Sequence, residues 1–290
     1  MAEITAKDVQ VLREKTGAGM MDCKKALGEA NGDLEKAVEI LRKKGAAVAA
    51  KRADREAKEG LVLAKVSADK KSAILVEVNC ETDFVARNET FSGFAEQVAV
   101  FALESGSQTL DQLLDKKAPF TNGQSIRDYV TELTGKTGEK IEVRRLAAAA
   151  APAGQVIDYI HPGSRLGVLV VLETAGSDSR IADLGKDIAM QVAAANPMVL
   201  TRDLVNTDKI NSELEIYKTQ ARNEKKPEAV IERIAVGKLE KFYEDNVLVE
   251  QKFVKDPSKT IKTIVEETSK ATGSPVTIKR FVRFLIGESL

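Results

Sequence analysis

Apolar positions in the first 45 residues recur at helical spacing and predict three short helices. Ile4, Val9, Val11 and Leu12 mark the first, which Gly17-Ala18-Gly19 stops. The second covers 20–30, with Met20, Cys23, Ala26 and Leu27 on one face. Asn31-Gly32-Asp33 then breaks the chain. Asp33 is a natural N-cap for a third helix over 34–44, where Leu34, Val38 and Leu41 recur and Gly45 supplies a C-cap. A bundle this small has little core of its own, so residues 1–45 read as a compact recognition module. Residues 46–59, rich in Ala, Lys, Arg and Glu, read as a helical or flexible linker.

At Gly60 the hydrophobic period falls to two. Residues 61–66 form one strand, Asp69-Lys70-Lys71 a turn, and 73–79 a second strand with Ile74, Val76 and Val78 on one face. A helix over 88–104 carries Phe91, Phe94, Ala95, Val98 and Phe101. After further helical sequence, 140–146 reads as a strand and 147–154 as a linker.

The pattern then returns. An offset of 94 carries Gly60, Val62, Leu63 and Val66 onto Gly154, Val156, Ile157 and Ile160. It also carries Ile74, Leu75, Val76 and Val78 onto Val168, Leu169, Val170 and Leu172, and Phe94 and Val98 onto Ile188 and Val192. The closing strand Ile-Glu-Val-Arg-Arg-Leu at 141–146 matches Val-Thr-Ile-Lys-Arg-Phe at 276–281. That offset is 135 rather than 94, so the second copy holds 41 extra residues. Within the excess, Ile210, Leu214, Tyr217 and Ala221 follow helical spacing to Glu224-Lys225-Lys226. Pro227 suits the first turn of a next helix bearing Ile231, Ile234, Leu239 and Phe242.

The predicted class is α+β. Its parts are the helical module (1–45), the linker (46–59), two related ββα-β core subdomains (60–147; 148–206 with 244–290) and an inserted antiparallel helical hairpin (207–243).

Charge narrows the function. Lys+Arg and Asp+Glu each number 44, so the surplus that holds nucleic acid by counterion release is absent. Aromatic residues are 4% and Trp is missing, which starves a sheet of base-stacking platforms. Arg144, Arg145, Lys279, Arg280 and Arg283 are expected to be solvated or ion-paired. Two cysteines suggest a reducing compartment. Early acids, Glu3 and Asp8, argue against a signal peptide, and the apolar run 166–172 is too short to span a bilayer. A soluble cytoplasmic protein is expected, without nucleic-acid or membrane partners.

Catalytic groups are scarce. His161 lies before Pro162 in a predicted turn, and its counterpart in the first copy is Ser67, so it reads as a surface residue. Cys23 sits on an apolar face, and Cys80 ends a strand with no histidine nearby. Neither has metal-ligand spacing. Gly135-Lys136-Thr137 imitates the end of a phosphate loop, but Val130 stands where the earlier glycine belongs. No catalytic set, metal site or cofactor is expected.

The informative segment is Glu-Val-Asn-Cys-Glu-Thr-Asp-Phe-Val-Ala-Arg at 77–87, leaving the second strand. In its ordinary reading Asp83 caps a helix while Phe84 and Val85 staple it to the core. The duplication argues otherwise, because Thr82-Asp83-Phe84-Val85 becomes Gly176-Ser177-Asp178-Ser179 in the second copy. The turn can be made without a large apolar residue, so Phe84 reads as a probe for a partner.

This segment resembles the signature of bacterial elongation factor Ts. So does Leu-Arg-Glu-Lys-Thr-Gly-Ala-Gly-Met-Met-Asp-Cys-Lys-Lys-Ala-Leu at 12–27. The likeness extends through the duplicated core and the hairpin, nearly the whole chain. It implies guanine nucleotide exchange on the GTPase elongation factor Tu rather than an enzymatic reaction. Thr82, Asp83, Phe84 and Val85 would dislodge Mg²⁺ from Tu, and Leu12, Arg13, Gly19, Met20 and Lys24 of the module would dock. Longer relatives continue into a C-terminal helical module that also touches Tu. This sequence stops soon after the last strand, so that contact is expected to be lost. The hairpin resembles the family's coiled-coil dimerisation element, leaving open a homodimer or a two-to-two complex with Tu. The alternatives are an adaptor that holds a partner without accelerating exchange, and an RNA binder using the paired sheets.

Overall fold

A computed structural model describes residues 4–289, so Glu3 lies outside it. The helical module comprises α1 (Ala6–Thr16), α2 (Met20–Glu29) and α3 (Leu34–Arg52). Thr5 and Asp8 form a capping box that starts α1, Gly17 in the left-handed region ends it, and Asp33 caps α3. Val9, Leu12, Cys23, Ala26, Leu27 and Ala37 make the small buried core. Val11 and Met20, expected on the inner faces, point to solvent instead.

The third helix differs from expectation in length. It does not stop at Gly45 but runs on through the first half of the predicted linker to Arg52. The cause lies in α7. After β1 (Glu59–Val66), β2 (Ser72–Cys80), α4 (Asp83–Ala86), α5 (Glu89–Glu104) and α6 (Leu110–Leu114), α7 (Ile126–Thr137) packs directly on α3. At their crossing Gly45 meets Gly135 backbone to backbone, and a Cβ on Gly135 would fall 2.4 Å from the Gly45 Cα. Gly45 is therefore a contact residue rather than a cap, and the module is seated on the core rather than tethered to it. The glycine of the apparent phosphate loop has the same packing role.

The core is two three-stranded antiparallel sheets, β1-β2-β3 and β4-β5-β8. The strands are β3 (Glu142–Ala150), β4 (Gly154–Ile160), β5 (Leu166–Glu173) and β8 (Thr277–Leu285). β3 extends to Ala150, into the linker predicted over 147–154, because Ala147 to Ala150 continue the ladder with β2. Both copies carry a register shift at the same place, Glu77/Val78 in one and Val171/Leu172 in the other. Both also carry, at the start of the first strand, a glycine whose Cβ would strike a carbonyl of the next strand, Val78 O for Gly60 and Leu172 O for Gly154.

One face of each sheet packs on its own helices. Ile74, Val76 and Val78 meet Phe91, Phe94 and Val98 of α5, while Val168, Val170 and Leu172 meet Ile188 and Val192 of α8 (Ser179–Ala195) and Ile264 of α11 (Ile261–Thr272). The other faces pack on each other through Val62, Leu75, Val156, Leu169, Val171 and Phe284. Buried between them is Glu77, bound to Arg144 and Arg145 of β3 and to the Gly287 N–H. The two arginines in turn donate to the carbonyls of Glu288 and Leu285, fastening the end of β8 to the first sheet.

The insertion forms the hairpin α9 (Thr207–Asn223) and α10 (Glu228–Asn246), with Pro227 at the N-cap of α10 rather than in its first turn. Leu214 and Tyr217 pack on Leu239, Phe242 and Tyr243 at its base. A small ribbon, β6 (Lys252–Phe253) with β7 (Asp256–Thr260), and α11 (Ile261–Thr272) lead into β8. Among the described residues no helix is long and apolar enough to cross a membrane.

Candidate functional site

β2 ends at Cys80, and the chain turns outward through Glu81 and Thr82 into the single turn of α4. Thr82 caps this turn, its hydroxyl accepting the Val85 N–H. Asp83, the cap of the ordinary reading, instead pairs with Arg87 at 2.9 Å. The residues of the turn then part company. Cys80 and Ala86 are buried and Val85 packs half-buried on the first core, whereas Phe84 is 83% exposed. Of the staple in the ordinary reading only Val85 packs inward, and the ring stands in solvent.

The base of the turn is fixed by two carboxylates. Glu81 accepts the Lys140 N–H at 2.7 Å and the Arg52 guanidinium at 2.8 Å, which reaches over from the end of α3. Glu139 accepts the Thr82 N–H at 3.0 Å and the Thr82 hydroxyl at 2.7 Å. Burial works to raise the Glu81 carboxyl, but the Lys140 N–H and Arg52 outweigh it and hold it below the ordinary value. Burial, reinforced by the carboxylates of Glu139 and Glu59, pushes the Cys80 thiol up to about 12. That thiol donates to the Thr82 carbonyl at 3.1 Å, so it is a structural tie and stays unionised. Glu81 and Glu139 were not singled out from sequence, since charged residues flanking a turn carry no periodic signal.

On the module, Arg13, Gly19 and Lys24 are exposed, and Met20 and Met21 are exposed by 59% and 64%. Leu12, expected at the docking surface, is wholly buried in the module core, where α1 needs an apolar contact with α2, so it has no surface to offer. A groove of about 800 Å³ runs between the module and α7, with Gly19 and Lys136 among its lining residues, but it does not include the Phe84 turn.

Elsewhere the chemistry is sparse. The His161 Nδ1 lies 2.8 Å from the Tyr159 hydroxyl on the surface. Arg144 and Arg145 are bound to Glu77, Lys279 to Glu173 and Arg283 to Glu288, while Arg280 donates to the Ala148 carbonyl. Among the described residues no cluster of three or more His, Cys, Asp or Glu is placed to hold a metal ion.

Fold and site together define a duplicated α+β protein with a braced, outward-facing apolar turn beside a small helical module. The sequence profile of the family described as Elongation factor TS matches residues 81–288. The Elongation factor Ts of Chloroherpeton thalassium is 49% identical over 289 residues, covering 99% of this chain and all of that protein. That of Prosthecochloris aestuarii is 47% identical over 288 residues with the same coverage. That of Clostridium botulinum is 48% identical over 287 residues, covering 94% of its length. The chain belongs to the elongation factor Ts family, a family of translation elongation factors.

Proposed function

We propose that this chain is a guanine nucleotide exchange factor for elongation factor Tu. It binds Tu carrying GDP, displaces Mg²⁺ and promotes GDP release so that GTP can enter. The observation that carries this reading is the exposed Phe84 ring on a turn whose base is buried and braced. A phenyl ring left in water by its own fold keeps its burial free energy, on the order of 2 kcal/mol, available for a partner. Mg²⁺ bridging the nucleotide phosphates demands near-ideal octahedral geometry, so a small displacement of its ligands weakens it disproportionately. Thr82, Asp83, Phe84 and Val85 form the displacing turn, while Arg13, Gly19, Met20 and Lys24 supply the docking face of the module. The coupling is reciprocal: this chain weakens GDP binding by the factor that GDP weakens its own binding. No bond of substrate is made or broken, so the protein acts as a factor rather than an enzyme.

On this reading the molecule divides into a docking module, two core subdomains and a hairpin arm that serves self-association or a two-to-two complex. Its workplace is the cytoplasm, where translation elongation takes place.

The test is release of a fluorescent GDP analogue from Tu by the wild-type protein and by Phe84→Ala. Fast release by wild type, strongly slowed by a folded Phe84→Ala that still binds Tu, supports function and mechanism together. Undiminished release by the variant keeps exchange but moves its origin to other contacts. Binding without any acceleration by wild type overturns exchange and leaves an adaptor.

A further inference from the structure

The turn and the loop between α7 and β3 exchange carboxylates. Glu81, at the start of the turn, accepts a backbone N–H from Lys140 in the loop, and Glu139 in the loop accepts a backbone N–H from Thr82 in the turn. Each segment thus satisfies a main-chain donor of the other with a charge-assisted bond, the stronger class of hydrogen bond. Glu139 does more, because its second oxygen accepts a hydrogen bond from the Thr82 hydroxyl. That commits the hydroxyl as a donor to the carboxylate and leaves its lone pairs to cap α4 through the Val85 N–H at 3.4 Å. The direction of Phe84, two residues after Thr82, is therefore set from outside the turn.

We propose that Glu139 is a positioning residue for the displacing turn, acting through Thr82 to aim the Phe84 ring, with the Arg52–Glu81 pair carrying the orientation of α3 to the same turn. This inference rests on the exchange reading above. α3 is seated on α7 by the Gly45–Gly135 contact, and α7 leads into the loop bearing Glu139. Module, loop and turn are consequently joined at three points, so docking of the module delivers the ring in a fixed orientation. A side chain that must be held before it meets its partner loses less freedom on binding, and misaim falls on the rate step more than on affinity.

The chemistry requires a carboxylate. A glutamine at 139 keeps the length but presents one oxygen and one amide donor to two donors on Thr82, so one bond is lost and replaced by a clash of hydrogens. Thr82→Val removes the hydroxyl on the other side of that bond at nearly constant volume.

The experiment measures release of the fluorescent GDP analogue from purified Tu at saturating factor, separating maximal rate from apparent affinity. Circular dichroism and thermal melting certify each variant as folded. Glu139→Gln is expected to lower the maximal rate about tenfold, and Glu139→Ala by up to roughly a hundredfold, the range set by losing charge-assisted bonds. Affinity for Tu stays within about threefold in both. Thr82→Val, which removes the hydroxyl that Glu139 binds, follows Glu139→Gln. In a Phe84→Ala background, Glu139→Gln adds nothing further, since the residue works only through the ring.

A full multiplicative loss in that background overturns the positioning role, because the effect would then bypass the ring. Wild-type release by both Glu139 variants overturns it too, while exchange itself stands. Failure of the wild-type protein to accelerate release overturns exchange and the positioning role together. Where Glu139→Ala does not fold, the near-isosteric Glu139→Gln decides the matter alone.

Discussion

The backbone N–H of Val62 donates to the carbonyl of Ser164 at 2.6 Å, and Val156 donates to Lys70 at 2.8 Å. Residue by residue, the second bond is the first with the copies exchanged. Val62 lies on β1 and Val156 on β4, each paired with only one strand of its own sheet. The hairpin turn of each copy therefore covers part of the exposed edge of the other. Lys70 and Ser164 both adopt left-handed backbone to do so, with φ of 58° and 53°. An edge strand left open invites pairing with foreign chains, and here the duplication closes it internally.

Native-state hydrogen exchange should register this closure. The Val62 and Val156 amides, on edge strands, are expected to exchange only with global unfolding and with matching protection. Fast exchange at either would show that the copies separate before the sheets melt.

The helix crossing gives an asymmetric pair of substitutions. A Cβ on Gly45 would meet the Gly135 Cα at an ordinary 3.6 Å, whereas one on Gly135 would lie 2.4 Å from the Gly45 Cα. Gly45→Ala should be neutral or stabilising, by up to about 1 kcal/mol from helix propensity. Gly135→Ala must push α3 away and should cost about 1–3 kcal/mol. Urea denaturation of both variants provides the comparison.

Glu77 is a buried anion between two arginines, and Val171 holds its place in the other copy. Glu77→Val nevertheless should not be tolerated, because it removes the buried carboxylate shared by Arg144 and Arg145 and leaves Arg145 only the more distant Glu288, at 3.8 Å. A loss of roughly 3 kcal/mol in denaturant stability is expected.

Acid should undo the tie at Glu81. Its carboxyl is held below the ordinary 4.5 despite burial, by the Lys140 N–H and Arg52. A depressed carboxyl stabilises the fold above its unfolded value and loses that contribution as pH falls through the folded one. The stability difference between wild type and Glu81→Gln should be complete above pH 4.5 and fade below it, as urea titrations at several pH values would record.

Neither cysteine should react in the native state. Both are buried, and the Cys80 thiol is pushed up to about 12. An aromatic disulfide reagent is expected to label both only at the rate of unfolding, and prompt labelling of either would contradict the packing described.

The strands, the repeat and the hairpin were legible because their apolar positions recur with fixed periods, and an offset of 94 aligns even the register shift at Glu77 and Val171. Glycine misled at one position. A glycine ending a helix and a glycine admitting a neighbouring helix look alike in a single sequence. Gly45 therefore reads as a stop, though it and Gly135 exist for each other. Leu12 was drawn into the docking set because the stretch 12–27 mixes core with surface. Phe84 was legible as a residue the fold does not need. Its support was not, since Glu139 lies 57 residues away and only the folded chain brings them together.

The placement of β8 has a consequence for synthesis. The first sheet is complete by Ala150, but β5 must wait for β8, which begins at Thr277. At bacterial translation speeds of about 5–20 residues per second, the β4–β5 hairpin spends roughly 5–20 s as a two-stranded piece with one edge unmet. Such a hairpin is barely stable by itself. The Val62–Ser164 and Val156–Lys70 bonds join that hairpin to the first copy, whose sheet is already fully synthesised by then.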